Sequence, residues 1–234
     1  VQGNGFAKQG YPARALFSIP FVGINEKGNP VCINEKGQAT VGDLNFQERN
    51  NTDYLIYEGS TDPIYNGSLG NTFNYKGFHL NLFLTYAFGN VVRLDPVFKA
   101  KYNDLTSMTH DFKNRWMQPG DENVTNVPGV VSRYEYEQNR TLLSTAYNAY
   151  NYTSVRTAKG DFIRLKEISL AYDFPHRWLE NSPVNNISLK LQATNLMLLY
   201  ADKKLNGQDP EFMNAGGVAS PMPKQFTLTL KLGL

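Results

Sequence analysis

The sequence YKGFHLNLFLTYAFGN, residues 75–90, alternates between apolar side chains and side chains that are mostly small or polar. Its two-residue period is that of a β-strand, in which successive side chains point to opposite faces of a sheet. The apolar face of this strand carries Phe78, Leu80, Leu82, Leu84, Tyr86 and Phe88. The other face carries residues such as His79, Asn81 and Thr85. The fold class therefore depends on whether the apolar stripe faces a protein core or lipid.

Four further segments alternate in the same way, at residues 64–76, 161–175, 186–200 and 224–234. A strand of about 10 residues at ~3.3 Å each, tilted by about 40°, spans roughly 25 Å, the height of the apolar band of an outer-membrane barrel. The opposite side of each strand is mostly polar, which suits a wet or plugged lumen. With Phe78, Leu80, Leu82 and Leu84, the residues that we assign to a lipid-facing stripe are Ile168, Leu170, Leu189, Leu191, Leu228 and Leu230.

The connections between these segments alternate in length. A tight turn at Lys76 and Gly77 joins the first two segments and predicts a β-hairpin. The later connections have about 70, about a dozen and about 25 residues, and a compact domain rarely needs the longest of these. Short periplasmic turns and long outer loops are typical of outer-membrane barrels. If the hairpin is periplasmic, the connections at residues 90–160 and 200–223 are extracellular loops.

The bulk composition excludes several classes of protein. A formal net charge of +2 with no block of Lys or Arg gives no indication of a nucleic-acid partner. No apolar run reaches the ~18 residues of a membrane helix. The single cysteine, Cys32, excludes an internal disulfide and a zinc site of cysteines. His79, His110 and His176 fall on different predicted elements, so we predict no catalytic site, no metal site and no cofactor.

Two regions outside the five strands carry local signals. Residues 95–117 have apolar side chains near helical spacing, and Pro96 suits a first helical position, so a short helix is predicted in the long loop. The near-repeats INEKGNP (24–30) and INEKGQA (33–39) predict two turns with positive φ at Gly28 and Gly37. We therefore expect a small β-meander outside the main sheet.

Aromatic residues are concentrated in the long loop and provide the candidate binding residues. Tyr and Trp offer flat apolar surfaces with a polar group, which suits glycans and protein surfaces. Contact with substrate or a partner protein and packing of loop against loop are both open interpretations. The candidate residues are Trp116, Tyr134, Tyr136, Tyr147, Tyr150 and Tyr152.

Six stretches, in order along nearly the whole chain, resemble the C-terminal part of the SusC/RagA family of TonB-linked outer-membrane transporters. They are VGINEKGNPV, YNGSLGNTFNYKGFHLNLFLTYAFGN, NRWMQPGDENVTNVPGV, FIRLKEISLAYDFP, LKLQATNLMLLYADKKLNGQDPE and SPMPKQFTLTLKLGL. The resemblance implies a 22-stranded barrel with an N-terminal plug, which imports oligosaccharides or peptides with a SusD-like lid lipoprotein and TonB. Two features depart from the family: the plug and the TonB-contacting segment are expected to lie in a missing N-terminal part, and the last residue, Leu234, is not the usual terminal aromatic. The opening without Met is expected of a processed or excised piece.

The sequence thus predicts an all-β chain: about five strands of a partial antiparallel transmembrane barrel with long extracellular loops, one of which contains a short helix. Residues 1–63 would form an extracellular loop region with the meander, and residues 64–234 the C-terminal barrel strands. The expected partners are the remainder of the barrel and plug, a SusD-like lipoprotein, TonB and outer-membrane lipid, with no nucleic acid. A soluble β-sandwich that binds surface glycans is the alternative; a complete small enzyme barrel would need an even strand count and a clustered catalytic set.

Overall fold

The computed structural model describes residues 7–48, 51–103, 105, 108–180, 183–213 and 223–233. The chain divides into two compact units. The mixed unit comprises Val1–Asp62, Val91–Lys159 and Lys204–Asn206, and the sheet unit comprises Pro63–Asn90, Gly160–Lys203 and Gly207–Leu234. The sequence-based division placed residues 90–160 as a long loop within the C-terminal region 64–234, and in the structure Val91–Lys159 group with Val1–Asp62.

Strands dominate the sheet unit, and over the described residues as a whole strands are more extensive than helices. The expectation of an all-β chain is therefore confirmed at this level. The strands are β1 (Ala15–Ser18), β2 (Phe21–Ile24), β3 (Pro30–Ile33), β4 (Ala39–Thr40), β5 (Ile56–Ser60), β6 (Tyr65–Tyr75), β7 (Phe78–Phe88), β8 (Val91–Arg93), β9 (Thr157–Lys159), β10 (Phe162–Asp173), β11 (Asn186–Ala201) and β12 (Gln225–Gly233). The α-helices are α1 (Arg133–Gln138) and α2 (Arg140–Tyr150), and short 3-10 turns lie at His110–Asn114, Asp121–Asn123, Ser154–Arg156, His176–Trp178 and Lys203–Leu205.

The sheet unit contains one antiparallel sheet of five strands in the order β12-β11-β10-β7-β6. These are the five segments predicted from alternation, and each boundary lies within a few residues of the predicted one. Leu234, which the prediction placed at the end of the last strand, lies outside the described residues. Neighbouring strands in the sheet are also neighbours among the five in sequence, as connections between antiparallel strands usually require.

The turn between β6 and β7 has the backbone conformation of a tight hairpin. Lys76 has φ 47° and Gly77 has φ 86°, and two central residues with positive φ are the mark of a type I′ turn. The Asp173 amide of the neighbouring strand donates to the Gly77 carbonyl (N···O 2.8 Å), which ties the turn to β10. The predicted hairpin is thus confirmed, and glycine is needed at its second position.

A bulge in β10 was not predicted. Lys166 has no partner in the register on either side, because the pairing with both β7 and β11 shifts between Leu165 and Glu167. A bulge places one extra residue in a strand and so restores the alternation that a three-residue spacing would break. Leu165 and Ile168 therefore lie on the same face of the sheet, although three positions separate them in sequence.

The meander of the mixed unit is β2-β3-β4, and the two near-repeats form its turns. Gly28 has φ 78° and Gly37 has φ 76°. In the first turn, Asn25 Oδ1 accepts from the amides of Lys27 and Asn29, and Asn34 Oδ1 accepts in the same way from the amides two and four residues later. An Asn side chain that mimics a backbone turn explains why both repeats contain the Asn.

The helix predicted at residues 95–117 is wrong. Its described residues contain only the 3-10 turn His110–Asn114, and the α-helices of the loop lie further on, at α1 and α2. The reason is tertiary. The Phe98 amide donates to Asn151 Oδ1 (3.1 Å) and the Phe98 carbonyl accepts from Asn151 Nδ2 (2.8 Å), so α2 takes the backbone groups that a helix would use. Ser132 caps α1 by accepting from the Glu135 amide, a start signal of the type S-x-x-E.

The core of the mixed unit forms around α2. Leu143, Ala146 and Tyr147 pack with Ala100, and Ala149 on the adjoining side packs with Ile19 and Cys32. Together these contacts make the long connection a folded body rather than an irregular loop. Within the part of the chain that the structure describes, no helix has the length and apolar character needed to cross a membrane.

Candidate functional site

The apolar face of the sheet unit is continuous across all five strands. One row of paired residues runs Phe73, Leu80, Leu170, Leu191 and Leu228, so each strand contributes a large apolar side chain. The neighbouring row toward the hairpin is built in the same way from Tyr75, Phe78, Tyr172, Leu189 and Leu230. Ile168 pairs with Leu82 in the next row, and Leu84 with Leu165 in the row beyond it. All ten residues predicted to form a stripe therefore share one face.

Solvent exposure shows that this face is not the core of the sheet unit. Leu191, Leu228 and Leu230 are 54%, 68% and 59% exposed, and even Leu170 on the central strand is 44% exposed. Leu80, Leu82, Leu84 and Ile168 are half-buried between their neighbours on the same face. A contiguous exposed apolar surface of this extent marks a membrane-facing or protein-facing site.

Aromatic side chains are concentrated at the ends of the sheet. At the hairpin end, Phe78 stacks near Tyr172 (ring centroids 4.4 Å apart), and Phe174 lies 5.0 Å from Tyr172 and 6.0 Å from Trp178. At the other end, the rings of Tyr86 and Phe88 are 5.7 Å apart. Rings at both edges of an apolar band are the arrangement found at the two interfaces of a membrane sheet.

The opposite face of the sheet unit is polar. His79 lies between Asn74 Oδ1 (2.6 Å from Nδ1) and Asp173 Oδ2 (2.9 Å from Nε2), near the hairpin. Further along, Thr72 donates to Asn81 Oδ1 at 3.2 Å. The other polar residues of this face, placed by the register, include Glu167, Lys190, Gln192, Thr229 and Lys231. The sheet thus separates an apolar side from a hydrophilic side.

An ion pair at the far end of the polar face was missed by the sequence reading. Arg164 Nη2 donates to both carboxylate oxygens of Asp209, and the two side chains are almost fully buried. Glu211 Oε2 lies 3.3 Å from Nε, close enough for charge attraction but not aligned as a hydrogen bond. The signal that could have found it is the position of Arg164 on the polar face of an otherwise mostly apolar segment.

The six loop aromatics divide by burial. Tyr147 and Tyr150 are only 1% and 2% exposed, and their rings are part of the interior of the mixed unit. Tyr147 donates to the Gly129 carbonyl (2.6 Å), and the Tyr150 ring meets Phe98 edge-on at 5.1 Å. Their positions favour the packing role that the sequence left open for them.

Trp116 organises a turn. Its indole N–H donates to Glu122 Oε2 (3.0 Å), and its ring lies so close to Gly28 and Gly129 that a Cβ at either glycine would overlap it. The Gly129 amide in turn donates to the Gly28 carbonyl (2.9 Å). The indole donor, with the Gly120 amide, lowers the pKa of Glu122 below its usual range. Trp116 therefore joins the meander turn to the NRWMQPGDE segment.

The remaining three aromatics are more accessible. Tyr134 is 78% exposed, whereas Tyr136 and Tyr152 are half-buried and line one cavity of about 410 Å³ in the mixed unit. The Tyr136 hydroxyl is 3.2 Å from Ser144 Oγ, and Lys101 Nζ lies 5.8 Å from the Tyr136 ring centre. A cavity of this size with aromatic walls and several polar groups can accept part of a small polar ligand.

Two buried side chains of the mixed unit, Arg93 and Cys32, have shifted pKa values. Burial lowers the pKa of Arg93 to about 10, and its Nη2 donates to the Phe17 carbonyl (2.7 Å) and to Ser18 Oγ (3.1 Å). Burial raises the pKa of the Cys32 thiol to about 12, so Cys32 stays protonated at neutral pH. Neither group is accessible to a ligand, and both serve packing.

The histidines and acidic side chains of the described residues do not form a metal site. No group of three His, Cys, Asp or Glu side chains there is arranged to hold a metal ion. His79 lies on β7 and His176 in the turn after β10, while His110 belongs to the 3-10 turn of the mixed unit.

Comparison with known proteins finds sequence relatives among receptors. No protein-family profile matches the chain. It is 27% identical over 192 residues to TonB-dependent receptor P39 of Formosa agariphila, and 26% identical over 160 residues to TonB-dependent receptor P3 of the same organism. These alignments cover 77% and 65% of this chain but only 17% and 13% of the receptors. The chain therefore spans less than a fifth of the length of these relatives.

The fold is similar to that of solved transporters. A structure of the RagAB peptide transporter matches with a TM-score of 0.67 at 20% identity, covering 99% of this chain and 24% of that one. The RagAB peptide importer in its open-open state matches with a TM-score of 0.63 at 20% identity, over 96% of this chain and 23% of that one. Strand order and chain course are thus shared with part of a transporter.

Two-faced antiparallel sheets with long connections at one end are typical of outer-membrane barrels. The relatives are named as receptors, and the structural neighbours as a peptide transporter or importer. The chain is thus similar in sequence to TonB-dependent receptors and similar in fold to part of the RagAB transporter, in agreement with the resemblance found in the sequence.

Proposed function

We propose that the chain forms five adjacent strands in the wall of a SusC/RagA-type, TonB-dependent transporter of the outer membrane. The observation that carries the proposal is the row Phe73, Leu80, Leu170, Leu191 and Leu228, which places an apolar side chain on one face of every strand. Those side chains would face lipid and the polar side would line the lumen. The whole barrel would have 22 strands around a plug.

The edges of the sheet support a position within a larger barrel. Among the described residues, β6 and β12 each have a neighbouring strand on one side only. An unpaired backbone amide or carbonyl costs several kcal/mol in hydrocarbon, so an open edge is not tolerated in a bilayer. We infer that both edges pair with the remainder of the barrel.

The loops assign the two ends. The tight turn at Lys76 and Gly77 would lie on the periplasmic side, and residues 1–63 and the long connections on the extracellular side. There the mixed unit would shape the substrate vestibule and seat a SusD-like lid lipoprotein, while TonB would act through the plug. We propose Trp116, Tyr134, Tyr136 and Tyr152 as contact residues in this vestibule, with Tyr147 and Tyr150 supporting them from the interior.

The substrate would be an oligosaccharide or a peptide. The structural neighbours are a peptide transporter and importer, which supports a peptide as one of the two. The cavity lined by Tyr136 and Tyr152 combines aromatic faces with Ser144, Asn148 and Lys101, groups that suit either class. The glycan-binding β-sandwich is not favoured, because its apolar stripes would have to be buried, and Leu228 and Leu230 are exposed.

Thiol labelling of adjacent positions tests the lipid-facing assignment. In the full-length transporter, reconstituted in lipid vesicles with its native cysteines replaced, Leu228→Cys and Thr229→Cys are compared using a water-soluble maleimide. These neighbours lie on opposite faces of β12. We expect rapid labelling at Thr229→Cys and protection at Leu228→Cys.

Leu191→Cys and Gln192→Cys on β11 form a matched second pair, with the same expectation. Equal labelling of the two faces in both pairs would reject the barrel wall. Labelling of only the leucine positions would show that the faces are inverted.

A further inference from the structure

The geometry points to an inward-folded constriction: residues 207–213 return to the polar face of the sheet and are anchored there by Arg164. This inference rests on the proposed function, because the polar face is a lumen only in a barrel wall. Arg164 and Asp209 would then be positioning residues that set which solutes pass the outer mouth by their size.

The course of the chain brings the segment back to the sheet. β11 ends at Ala201, which pairs with Phe162 at the end of the sheet remote from the hairpin. Asn206 (φ 51°) and Gly207 (φ 84°) are consecutive residues in the left-handed region, a conformation that reverses the chain direction. The residues that follow return to β10 instead of extending away from it.

Arg164 is on the polar face. It pairs with Thr85 of β7 on one side and Leu198 of β11 on the other, and both belong to the face opposite the apolar rows. Its guanidinium therefore points to the side that would be the lumen. There it meets the carboxylate of Asp209, while Glu211 lies beside Nε at 3.3 Å.

Burial distinguishes this pair from an ordinary surface ion pair. The side chains of Arg164 and Asp209 are 7% and 9% exposed, and Pro210 between the two acidic residues is buried as well. A buried charge that loses its partner is strongly unfavourable, so neither side chain is free to leave the other. The buried ion pair therefore holds this segment at one position on the sheet.

The segment is also ordered from within. Asp209 Oδ1 accepts from the Glu211 amide (3.1 Å), and the Asp209 carbonyl accepts from the Phe212 amide (3.1 Å). On the other side, the Arg164 guanidinium lies 5.6 Å from the Phe162 ring centre. The turn, the ion pair and the ring form one connected anchor, which fixes residues 209–212 over the polar face.

Reagents of two sizes test the constriction in the full-length transporter in detergent micelles, with native cysteines replaced by alanine. The probe is Thr85→Cys, directly opposite Arg164 in the register. It is labelled with a small water-soluble maleimide and with a bulky polyethylene glycol maleimide. Asp209→Asn removes the charge that pairs with Arg164 and keeps the shape, so we expect labelling by the bulky reagent to rise at least about tenfold.

Glu211→Gln is the graded second variant. Its carboxylate is 44% exposed and makes one longer contact, so we expect a rise of about two- to threefold for the bulky reagent. Asp43→Asn, at an exposed position of the mixed unit, is the matched control and should leave the rate unchanged. If Asp209→Asn does not fold, the Glu211→Gln result decides.

The outcomes separate the two proposals. Bulky-reagent rates equal to that of the parent in Asp209→Asn and Glu211→Gln, with Leu84→Cys still protected on the apolar face, would overturn the constriction alone. Labelling of Leu84→Cys by the small reagent as fast as Thr85→Cys would reject the barrel wall, and the constriction with it.

Discussion

The rings of Tyr147 and Tyr150 lie in the interior of the mixed unit, where they are 1% and 2% exposed. Tyr147, Tyr150 and Trp116 were equally good candidates for ligand contact, because residue type and loop location were the same for all six aromatics. The structure separates them by what surrounds each ring. Burial arises when α2 packs on residues distant in sequence, such as Phe98 and Ile19, and no local pattern contains that information.

Tyr147→Phe should destabilise the mixed unit. The change removes the donor of the 2.6 Å hydrogen bond to the Gly129 carbonyl at a site that is 1% exposed. Loss of one buried partner costs about 1–3 kcal/mol. Hydrogen exchange or limited proteolysis of the full-length protein should report faster opening of this region. Tyr134→Phe, at a 78% exposed ring, is the matched control and should change nothing.

Cys32 should be inert in the folded protein. Burial raises the pKa of its thiol from 9.0 to about 12, so an alkylating reagent at pH 8 should modify it only after denaturation. The folded pKa exceeds the unfolded one, and the resulting stabilisation is therefore complete below about pH 9 and is lost as the pH rises toward 12. Alkylation at pH 8 followed by mass spectrometry checks the first point; rapid native modification would contradict it.

Strands and turns were the most predictable part of the chain. The two-residue alternation located all five strands of the sheet, and Lys76-Gly77 located the hairpin, since both signals are local. The prediction of a helix at residues 95–117 was wrong because the Phe98 backbone bonds instead to Asn151, the residue that follows α2. The short pairs β1-β5 and β8-β9 were missed, since strands of only a few residues carry too little alternation.

Gly77→Val should weaken assembly of the hairpin. Gly77 has φ 86°, and a Cβ there would lie 2.9 Å from the Asp173 carbonyl oxygen. The left-handed conformation alone costs a side chain about 1–2 kcal/mol. The urea midpoint of the full-length protein in detergent should fall. Lys76→Asn, which suits the preceding position of a type I′ turn, should leave the midpoint unchanged or slightly higher.

Leu228→Arg should impair insertion, whereas Thr229→Arg should be tolerated. On the lipid side, an Arg near the middle of a membrane strand costs about 2–4 kcal/mol, and on the lumen side it remains hydrated. Folding into lipid vesicles, followed by urea titration, measures the difference. Similar destabilisation by the two variants would contradict the assignment of faces on β12.

At the scale of the whole molecule, the chain divides into the sheet unit and the mixed unit. The sequence revealed the long connection between the strands but not that residues 91–159 and 1–62 make one compact unit. That association depends on contacts far apart in sequence, such as Arg93 with the Phe17 carbonyl.

Residues 1–234 on their own should not behave as a detergent-free monomer. The described edges at β6 and β12 and the exposed apolar face give the isolated chain several routes to association. Size-exclusion chromatography with light scattering, with and without detergent, should show large species that detergent disperses. A cooperative monomer in plain buffer would argue against a membrane wall.

The bulge at Lys166 determines which residues of β10 lie on each face of the sheet. Before Lys166, the odd-numbered residues of β10 lie on the apolar face, and after it the even-numbered residues do. Deletion of Lys166 would remove the bulge and reverse the faces of one half of the strand relative to the other, so that Leu165 and Arg164 would exchange faces. The strand β10 therefore tolerates substitutions far better than the deletion of a residue.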